Sequence, residues 1–542
     1  MLPGQMMNLP LTITTIMNFA DQVYGNSEIV SVTAENPRHR YSYNDAFKRT
    51  RQLANALVAA GVKPGDRVAT MAWNDYRHLE LYYAISCIGA VCHTINPRLF
   101  PEQMEYIANH AEDKLLFVDP MFVPVVEAIQ ANLSTLEGYV VLTDGEHMPQ
   151  TTLKSAVDYE SYIGGQPGTF DWPDLDENGA SSLCYTSGTT GNPKGVLYSH
   201  RSTVIHAYGA ALPDALAMSV NDVILPIVPM FHVNAWSIPY GAVMVGSKLV
   251  FPGSKMGDGE TLQALIEEEA VTTSAGVPTV WLALLNYLRD SGKSISSLKS
   301  VVVGGSACPL AIMEEFSEVH GVYTHHAWGM TETGPLGTFN SLKPGMADLP
   351  EDELNAIRLS QGRPVFGVDM RIVDDEGQVQ PWDGESVGEV RIKGNWVASS
   401  YYRQDSSDSH DAEGYFGTGD VASIDAEGYM RITDRTKDVI KSGGEWISSI
   451  DLENAAVGHP GVAEAAVIGI PHPKWAERPL LIVIKTPGSD VEATEILQFL
   501  EGKVAKWWIP ENVAFVDEIP HTATGKISKK DLRVQFADYQ SA

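Results

Sequence analysis

Residues 185–195 have the sequence Y-T-S-G-T-T-G-N-P-K-G, and no other stretch of the chain says as much about its fold and chemistry. Serine, threonine and glycine offer hydroxyls and unobstructed backbone N–H groups, Pro193 stiffens the turn and Lys194 adds a cation, as a loop around phosphate oxygens requires. It is not a Walker A loop, because two residues separate Gly191 from Lys194 and Gly195 follows the lysine. On composition alone, a flexible surface turn and the serine-rich segment of an amidase-type hydrolase are alternatives.

Strand-like apolar runs alternate with amphipathic helical stretches through most of the chain, which is typical of α/β proteins with largely parallel sheets. Residues 67–72 predict a strand after a G-V-K-P-G-D turn, residues 78–87 predict the next helix, and residues 301–303 predict a further strand. Beyond about Asp369 the chain changes to short strands separated by D-D-E-G and D-A-E-G-Y turns, which indicates a β-rich subdomain.

A polar junction at residues 434–438, D-R-T-K-D, marks the predicted domain boundary. We expect residues 1–435 to form a large domain and residues 436–542 to form a small α+β domain. Within the small domain, helices are predicted at residues 451–457 and 492–506 and a strand at residues 463–470. A polar linker without an apolar anchor would let the two domains move relative to each other.

The composition excludes several classes of protein. The chain has 542 residues, with 38 lysines and arginines against 68 aspartates and glutamates, and its net charge of −30 opposes binding to nucleic acid or to an anionic membrane. Its apolar stretches are far shorter than the roughly 20 residues that span a bilayer, so we expect no stable membrane insertion. The first basic residue is Arg38, which argues against a signal peptide and for a cytoplasmic location. Four cysteines without a C-x-x-C motif suit buried free thiols.

Further motifs follow the first one along the chain: G-G-S-A-C-P at residues 304–309, W-G-M-T-E-T at 328–333, G-Y-F-G-T-G-D at 414–420, D-R-T-K-D-V-I-K-S-G-G-E at 434–445 and P-H-T-A-T-G-K at 520–526. Together with residues 185–195 they resemble the core motifs of the adenylate-forming enzymes, the superfamily of acyl-CoA synthetases, nonribosomal peptide adenylation domains and firefly luciferase. The resemblance covers nearly the whole chain. It implies a large N-terminal domain of αβαβα-type layered sheets plus a β-rich subdomain, and a small mobile α+β C-terminal domain.

The resemblance also implies a reaction in two halves. A carboxylate first displaces pyrophosphate from ATP to form an acyl-adenylate, and the thiol of coenzyme A then displaces AMP. Thr331, Glu332 and His232 are expected near the reacting groups. Thr186 and Glu332 are expected to hold Mg²⁺, for which a carboxylate is a suitable hard ligand.

Several further residues are implied for the ATP site. Asp420 would bind the ribose hydroxyls, with Arg435 as its partner. Trp328 stands where family members usually carry tyrosine, and either ring can stack on adenine. The other residues implied for ATP binding, besides Thr186, are Ser187, Gly188, Thr189, Thr190, Lys194, Gly305, Ser306, Ala307, Cys308, Pro309, His326, Ala327, Gly329 and Met330.

Lys526 matches the lysine that the family uses for adenylation, where an ammonium bridges the substrate carboxylate and an α-phosphate oxygen. Because Lys526 lies in the small domain and the phosphate loop in the large one, the domains must close for adenylation. Lys526 must leave before coenzyme A reaches the same carbonyl, and the resemblance implies a rotation about a hinge at Lys437. The residues that then face the coenzyme A side are Lys441, Ser442, Gly443, Gly444 and Glu445.

The acyl pocket is expected around P-M-F-H-V-N-A-W at residues 229–236. Trp236 would shorten the pocket if its ring points inward, which favours small or medium acids. Within the family the sequence is most similar to bacterial medium-chain acyl-CoA ligases, and the acid we expect is 3-methylmercaptopropionate. The residues implied for the pocket are His232, Trp236, Gly304, Gly305, Gly329 and Pro335.

Other functions remain open at this point. A general short- or medium-chain fatty acyl-CoA ligase is the alternative within the family, since a hydrophobic pocket discriminates one methylene by only about 1–3 kcal/mol. An amidase-type serine hydrolase is an alternative from a different enzyme class, and it is disfavoured because no second Ser–Lys constellation accompanies the loop in this sequence. A non-catalytic ligand-binding homologue is a remote alternative, against which the presence of Lys526, Glu332 and Asp420 argues. The family resemblance also implies a homodimer.

Overall fold

The computed structural model describes residues 2–186, 192–405, 409–442, 445–522, 527–537 and 539. The chain forms two units, one made of Met1–Val302, Gly329–Leu336 and Asn395–Ser406, the other of Val303–Trp328, Gly337–Gly394 and Ser407–Ala542. The predicted boundary between residues 435 and 436 falls inside the second unit and stays a prediction. Within the part of the chain that the structure describes, every helix is too short or too polar to cross a membrane.

The first unit is a mixed α/β structure. Its helices are α1 (Ile13–Val23), α2 (Tyr43–Ala59), α3 (Tyr76–Cys87), α4 (Pro101–Ala111), α5 (Val123–Ile129), α6 (Tyr159–Ile163), α7 (His200–Ala211), α8 (Ile238–Val245), α9 (Gly259–Glu269) and α10 (Pro278–Ser291). Its strands are β1 (Glu28–Ser31), β2 (His39–Ser42), β3 (Arg67–Met71), β4 (Val91–Thr94), β5 (Asp113–Val118), β6 (Gly138–Val141), β7 (Val157–Asp158), β8 (Ala180–Tyr185), β9 (Gly195–Ser199), β10 (Val223–Pro226), β11 (Lys248–Phe251), β12 (Thr273–Gly276) and β13 (Ser300–Val303).

These strands belong to two sheets. One follows the order β7-β6-β5-β3-β4-β8-β9, and it is parallel except for β9, which runs antiparallel to β8. In the other sheet the strands of this unit follow the order β13-β12-β10-β11-β1-β2. The predicted α/β class with largely parallel sheets is therefore confirmed, and so are the predicted strands at residues 67–72 and 301–303, to within one residue.

Helix α3 lies between the two sheets, where it contacts β4 and β8 on one side and β1 on the other. Every residue of α3 is buried, so its polar side chains need partners inside the protein. Asp75 caps the helix by accepting a hydrogen bond from the N–H of His78 at 2.9 Å. The ring of His78 reaches Thr70 Oγ1 on β3 at 2.9 Å. This sheet–helix–sheet arrangement forms the inner layers of the predicted αβαβα stack.

The second unit is richer in antiparallel strands. Its helices are α11 (Leu310–Glu318), α12 (Glu351–Leu359), α13 (Ser449–Val457), α14 (Ala493–Leu500) and α15 (Lys529–Gln535). Its strands are β14 (Tyr323–Gly329), β15 (Leu336–Phe339), β16 (Arg363–Pro364), β17 (Val368–Val373), β18 (Val387–Gly394), β19 (Phe416–Ile424), β20 (Met430–Arg435), β21 (Ile440–Ser442), β22 (Glu445–Ile447), β23 (Val462–His472), β24 (Ala476–Lys485) and β25 (Asn512–Phe515). The antiparallel sheet β17-β18-β19-β20 is the predicted β-rich subdomain.

The C-terminal strands form a sheet in the order β22-β21-β24-β23, with β25 beside β24. Along β23, alternate side chains face opposite sides, as the pleat requires. Val467 packs with Leu452 and Ile496 from α13 and α14, whereas Ile468 packs with Leu532 from α15. The predicted helix at residues 492–506 was wrong in extent: α14 ends at Leu500, because Gly502 takes a positive φ of 78° that a helix cannot continue through.

The junction at residues 434–438 is less exposed than its polar sequence suggests. Asp434 is 1% exposed and accepts hydrogen bonds from the N–H of Ser449, at 3.0 Å, and from its hydroxyl. Lys529 Nζ lies 2.9 Å from Glu453 Oε1 and 3.9 Å from Asp434 Oδ1. One largely buried ammonium therefore compensates two carboxylates, of which Asp434 is fully and Glu453 largely buried. Burial raises the pKa of Glu453 to about 6.

We predict that Lys529→Met destabilises the C-terminal sheet, because two largely buried carboxylates lose their cation. The free energy of opening, measured by hydrogen exchange of β23 peptides at pH 8, should fall by about 3 kcal/mol. The pKa of Glu453 is raised in the folded state, so protonation favours folding and its contribution is lost as pH rises through about 6. The defect should therefore shrink at pH 5. The exposed neighbour Lys530 supplies the control Lys530→Met, and equal exchange in the two variants would contradict the prediction.

Candidate active site

The candidate phosphate loop connects the antiparallel strands β8 and β9. Its ends are closed by two hydrogen bonds: the N–H of Thr186 donates to the carbonyl oxygen of Lys194 at 2.9 Å, and the N–H of Lys194 donates to Thr186 Oγ1 at 3.2 Å. Tyr185 and Gly195 are partners in the strand register immediately before this closure. β8 and β9 thus form a hairpin whose two strand ends are held together by these bonds. The predicted phosphate-binding residues Ser187, Gly188, Thr189 and Thr190 lie outside the described residues.

Buried polar side chains support the base of this hairpin. The hydroxyl of Tyr185 lies 2.7 Å from His110 Nδ1, and its ring lies 5.1 Å from the ring of His93. His93 Nδ1 in turn lies 2.8 Å from Asp113 Oδ2, with both side chains fully buried. Such contacts hold the strand end in place, which a loop that binds a charged ligand needs.

Lys194 and Glu332 meet on the same tyrosine. The ammonium of Lys194 lies 4.7 Å from the ring centroid of Tyr401, and the hydroxyl of Tyr401 donates to Glu332 Oε1 at 2.6 Å. The ring thus holds a cation by its face and a carboxylate by its hydroxyl. Burial, with the Glu332 charge as the next cause, raises the pKa of Tyr401 far above its ordinary value, so the phenol stays protonated and donates.

Glu332 itself sits on a buried 3₁₀ turn, Thr331–Thr333. The carbonyl oxygen of Thr331 accepts a hydrogen bond from Tyr198 at 2.6 Å, and that of Glu332 accepts one from the N–H of Ala398 at 2.8 Å. Gly329 and Pro335 flank the turn so tightly that a Cβ at Gly329 would lie 1.7 Å from the carbonyl oxygen of Pro335. Met330 connects the turn to β14. The predicted residues from Gly329 to Pro335 therefore form one tightly packed loop.

His232 and Trp236, predicted for the acyl pocket, belong to an unusual piece of backbone. The residues from Val233 to Ser237 all have positive φ, between 46° and 59°. Val233, Asn234, Ala235 and Ser237 are buried, whereas His232 and Trp236 keep partial exposure. The two side chains predicted to meet substrate are thus the ones in this segment that reach an accessible space.

In the second unit, Asp420 contacts Arg435, its predicted partner, and also Trp328, which is predicted to stack on adenine. Arg435 Nε lies 2.7 Å from Asp420 Oδ1, and the indole N–H of Trp328 donates to Asp420 Oδ2 at 2.9 Å. Asp420 and Arg435 are direct partners on β19 and β20. The N–H at the edge of the Trp328 indole is therefore hydrogen-bonded to Asp420. Stacking of the indole face on adenine stays a prediction.

The remaining residues predicted for the adenine side surround the ends of β13 and β14. Gly304, Gly305, Ser306, Ala307 and Cys308 connect β13 to α11, Pro309 precedes that helix, and His326 and Ala327 lie in β14. Gly305 has a positive φ of 83°, which suits glycine. His326 Nδ1 lies 3.1 Å from the carbonyl oxygen of Leu359, and burial lowers its pKa.

The predicted hinge and coenzyme A side are partly described. Lys437 follows β20, and burial lowers its pKa. Lys441 and Ser442 lie in β21, where the N–H of Lys441 donates to Glu477 Oε2 at 2.9 Å. Gly443, Gly444 and the adenylation lysine Lys526 lie outside the described residues, and of Glu445 only its place at the start of β22 is described.

Sequence motifs did not point to Tyr401 or Tyr198, although both contact predicted site residues. Tyr401 is separated from Glu332 by 69 positions, and Tyr198 from Thr331 by 133. No local pattern marks such a contact. The sequence signal that could have been used is the tyrosine pair Tyr401–Tyr402, which interrupts a polar segment just before the G-Y-F-G-T-G-D motif.

The described residues contain no group of three or more His, Cys, Asp or Glu side chains that could hold a metal ion. The predicted magnesium site does not need one, since it uses the carboxylate of Glu332 and the hydroxyl of Thr186. Both fit a hard cation: the Thr186 hydroxyl accepts one N–H and has a second lone pair, and a carboxylate accepts several partners at once.

Comparison with known proteins supports the family resemblance. The model of the AMP-binding enzyme family matches residues 19–402, and that of the AMP-binding enzyme C-terminal domain matches residues 451–526. The chain is 49% identical to 3-methylmercaptopropionyl-CoA ligase of Ruegeria pomeroyi, covering 99% of both proteins. It is also 49% identical to a medium-chain-fatty-acid–CoA ligase of Ectopseudomonas oleovorans, over 99% of this chain and 98% of the relative.

The fold agrees with these matches. The crystal structure of the anthranilate CoA ligase AuaEII in complex with anthranoyl-AMP superimposes with a TM-score of 0.87 at 28% identity, covering 98% of this chain and 99% of that one. The predicted adenylate-forming fold, with a large N-terminal and a small C-terminal domain, is thereby confirmed. Since the family model spans most of the chain and these relatives match it from end to end, the chain belongs to the AMP-binding enzyme family.

Proposed function

We propose that this protein is an ATP-dependent acyl-CoA ligase that activates 3-methylmercaptopropionate as acyl-AMP and transfers it to coenzyme A. The observation that carries the proposal is the cluster of Lys194, Tyr401 and Glu332 at the base of the closed hairpin. It holds a cation for phosphate oxygens and a carboxylate for their metal ion side by side. The matched relatives are ligases of this class.

In the first half-reaction a carboxylate oxygen of the acid attacks the α-phosphorus of ATP, and the bond to the bridging oxygen of pyrophosphate breaks. The loop from Thr186 to Lys194 binds the β- and γ-phosphates. Glu332 and Thr186 hold Mg²⁺, which when bound neutralises phosphate charge. Lys526 bridges the two reacting anions, and Asp420 orients the ribose.

In the second half-reaction the sulfur of coenzyme A attacks the acyl carbonyl carbon and the bond to the AMP oxygen breaks, so a thioester and AMP form. Lys526 has to leave the carbonyl before the thiol arrives, which rotation of residues 436–542 about Lys437 achieves. Lys441, Ser442 and Glu445 then face the pantetheine channel together with the two glycines between them.

Two kinds of acid are candidates for the acyl pocket. The two relatives at equal identity act, by their names, on a thioether acid and on medium-chain fatty acids. An apolar pocket separates acids that differ by one methylene by only about 1–3 kcal/mol. A general short- or medium-chain fatty acyl-CoA ligase is therefore the second candidate, with the acid bound among His232, Trp236 and the glycines Gly304, Gly305 and Gly329.

We further propose a cytoplasmic homodimer that takes part in dimethylsulfoniopropionate catabolism. All four cysteines are buried free thiols, which suits a reducing compartment. The homodimer is implied by the family resemblance, and sedimentation velocity on the full chain tests it.

An acid panel tests the substrate. With ATP, Mg²⁺ and coenzyme A, pyrophosphate release should have a higher kcat/KM for 3-methylmercaptopropionate than for butyrate or octanoate. The thioether acid and a short fatty acid have similar length and polarity, so the difference from butyrate should be about 10-fold or less. A preference for octanoate would favour the second candidate, and release without any acid or ATP dependence would contradict the ligase proposal itself.

Replacing the predicted adenylation lysine separates the two half-reactions. Lys526→Ala should lower acid-dependent ATP–pyrophosphate exchange by at least about 100-fold, because the bridging charge is lost. Thioester formation from supplied acyl-adenylate and coenzyme A should stay within about threefold of the wild-type rate. The exposed Lys530→Ala is the matched control, and an equal loss of both half-reactions in Lys526→Ala would refute the division of roles.

Tyr401→Phe tests whether the tyrosine orders the magnesium and phosphate ligands. The ring remains beneath Lys194, but Glu332 loses a hydrogen bond, for which about 1.5 kcal/mol is typical with a charged partner. We expect the KM for ATP and the Mg²⁺ concentration for half-maximal activity to rise about 10-fold, with the KM for the acid nearly unchanged. Tyr208→Phe, on the surface of α7, is the control. A parallel rise in the KM for the acid would refute this role.

A further inference from the structure

The segment that carries His232 and Trp236 adopts a backbone that side-chain-bearing residues avoid. All five residues from Val233 to Ser237 have left-handed φ, and none of them is glycine. Left-handed helical backbone costs roughly 1–2 kcal/mol for each such residue, because Cβ crowds the following carbonyl oxygen. A β-branched residue such as Val233 tolerates it particularly poorly. A conformation this unfavourable persists only where surrounding contacts impose it.

The contacts at both ends of the segment are specific. On the N-terminal side, the N–H of Met230 donates to Asn74 Oδ1 at 2.6 Å, and the hydroxyl of Tyr82 donates to the carbonyl oxygen of Met230. On the C-terminal side, the hydroxyl of Ser237 donates to the carbonyl oxygen of Gly334 at 3.4 Å. The segment is therefore anchored to the core before it begins and to the Gly329–Pro335 loop where it ends.

Asn234 supplies the anchor in the middle. Its side chain is buried, its Nδ2 donates to Ser182 Oγ at 3.0 Å, and its Oδ1 accepts from Cys184 Sγ at 3.5 Å. Cys184 Sγ is also 3.2 Å from Thr94 Oγ1 on the neighbouring strand β4. Ser182 and Cys184 point to the same face of β8, the strand that runs directly into Tyr185 and Thr186.

Asparagine suits this position for two independent reasons. It is among the few non-glycine residues that tolerate left-handed backbone, because its short side chain bonds locally. Its amide supplies both a donor and an acceptor: the nitrogen donates to the hydroxyl of Ser182, and the oxygen accepts from the thiol of Cys184. Alanine would lose both hydrogen bonds, and glycine would keep the backbone but lose the amide.

We propose that Asn234 is a positioning residue for acid selection, which ties the left-handed segment to β8 and so fixes where His232 and Trp236 meet the acid. The inference rests on the proposed function, in which these two side chains border the acyl pocket. Asn234 touches neither reacting group and acts through its neighbours. Through β8 it also links the acid segment to the strand that leads into the phosphate loop.

The test compares two acids on the same preparation of each variant. The fraction of active enzyme affects both kcat/KM values equally and therefore cancels in their ratio. With full-length protein, ATP and Mg²⁺, the ratio of kcat/KM for butyrate to that for octanoate is measured by pyrophosphate release for wild type, Asn234→Ala, Asn234→Gly and the exposed control Asn221→Ala. We expect the ratio to change at least fivefold in both Asn234 variants, with the KM for ATP within threefold of wild type. Asn221→Ala should keep the wild-type ratio.

Several outcomes would overturn the inference. One is an Asn234→Ala enzyme that loses activity on both acids by one common factor. Another is a wild-type ratio in Asn234→Gly, which would show that backbone tolerance suffices without the amide. If Asn234→Ala does not fold, Ser182→Ala is measured instead, because it removes only the acceptor of Asn234 Nδ2. Its butyrate-to-octanoate ratio should then change at least fivefold, and an unchanged ratio would overturn the inference. A wild-type enzyme without acid-dependent pyrophosphate release would instead refute the proposed function, which separates the two failures.

Discussion

The loop between β8 and β9 is closed by the N–H of Thr186 on the carbonyl oxygen of Lys194 and by the N–H of Lys194 on Thr186 Oγ1. These two bonds bring both ends of a glycine- and hydroxyl-rich segment together, and the proposed phosphate and metal ligands lie next to them. Gly195 accepts a hydrogen bond from Tyr402 at 2.7 Å, which sets Tyr401 beside Lys194. Tyr401 then reaches Glu332. A chain of contacts thus links the loop ends to the proposed metal ligand.

This arrangement also explains how an acidic protein can bind anionic substrates. The net charge of −30 gives no general attraction for ATP, an acid or coenzyme A. The cations in the candidate site act over short distances, and the two that the structure describes, Lys194 and Arg435, already have a defined orientation. Lys194 lies over the ring of Tyr401, and Arg435 pairs with Asp420. Charges held in place before the ligand arrives stabilise it without the cost of reorganising them. The acidic excess elsewhere is then a matter of solubility.

Local patterns in the sequence were sufficient for the strands and helices that carry regular periodicity. The strand before α3 and the strand before Gly304 both follow from apolar runs and turn residues. The extent of α14 did not, because the amphipathic pattern continues past Gly502, where the backbone turns. The pairing of Asp420 with Arg435 was anticipated from motif order, but its geometry comes from the register of β19 and β20.

By itself, the sequence determined the family, the reaction class and the identity of most candidate residues, because those depend on residue types at short spacings within motifs. Tertiary structure decided what holds these residues. Tyr401 meets Glu332 across 69 positions, Asn234 meets Ser182 across 52, and Lys529 meets Asp434 and Glu453 inside the polar junction. The left-handed backbone after His232 is likewise invisible in a run of ordinary residues. Such contacts depend on which surfaces folding buries against each other, and no local pattern records that choice.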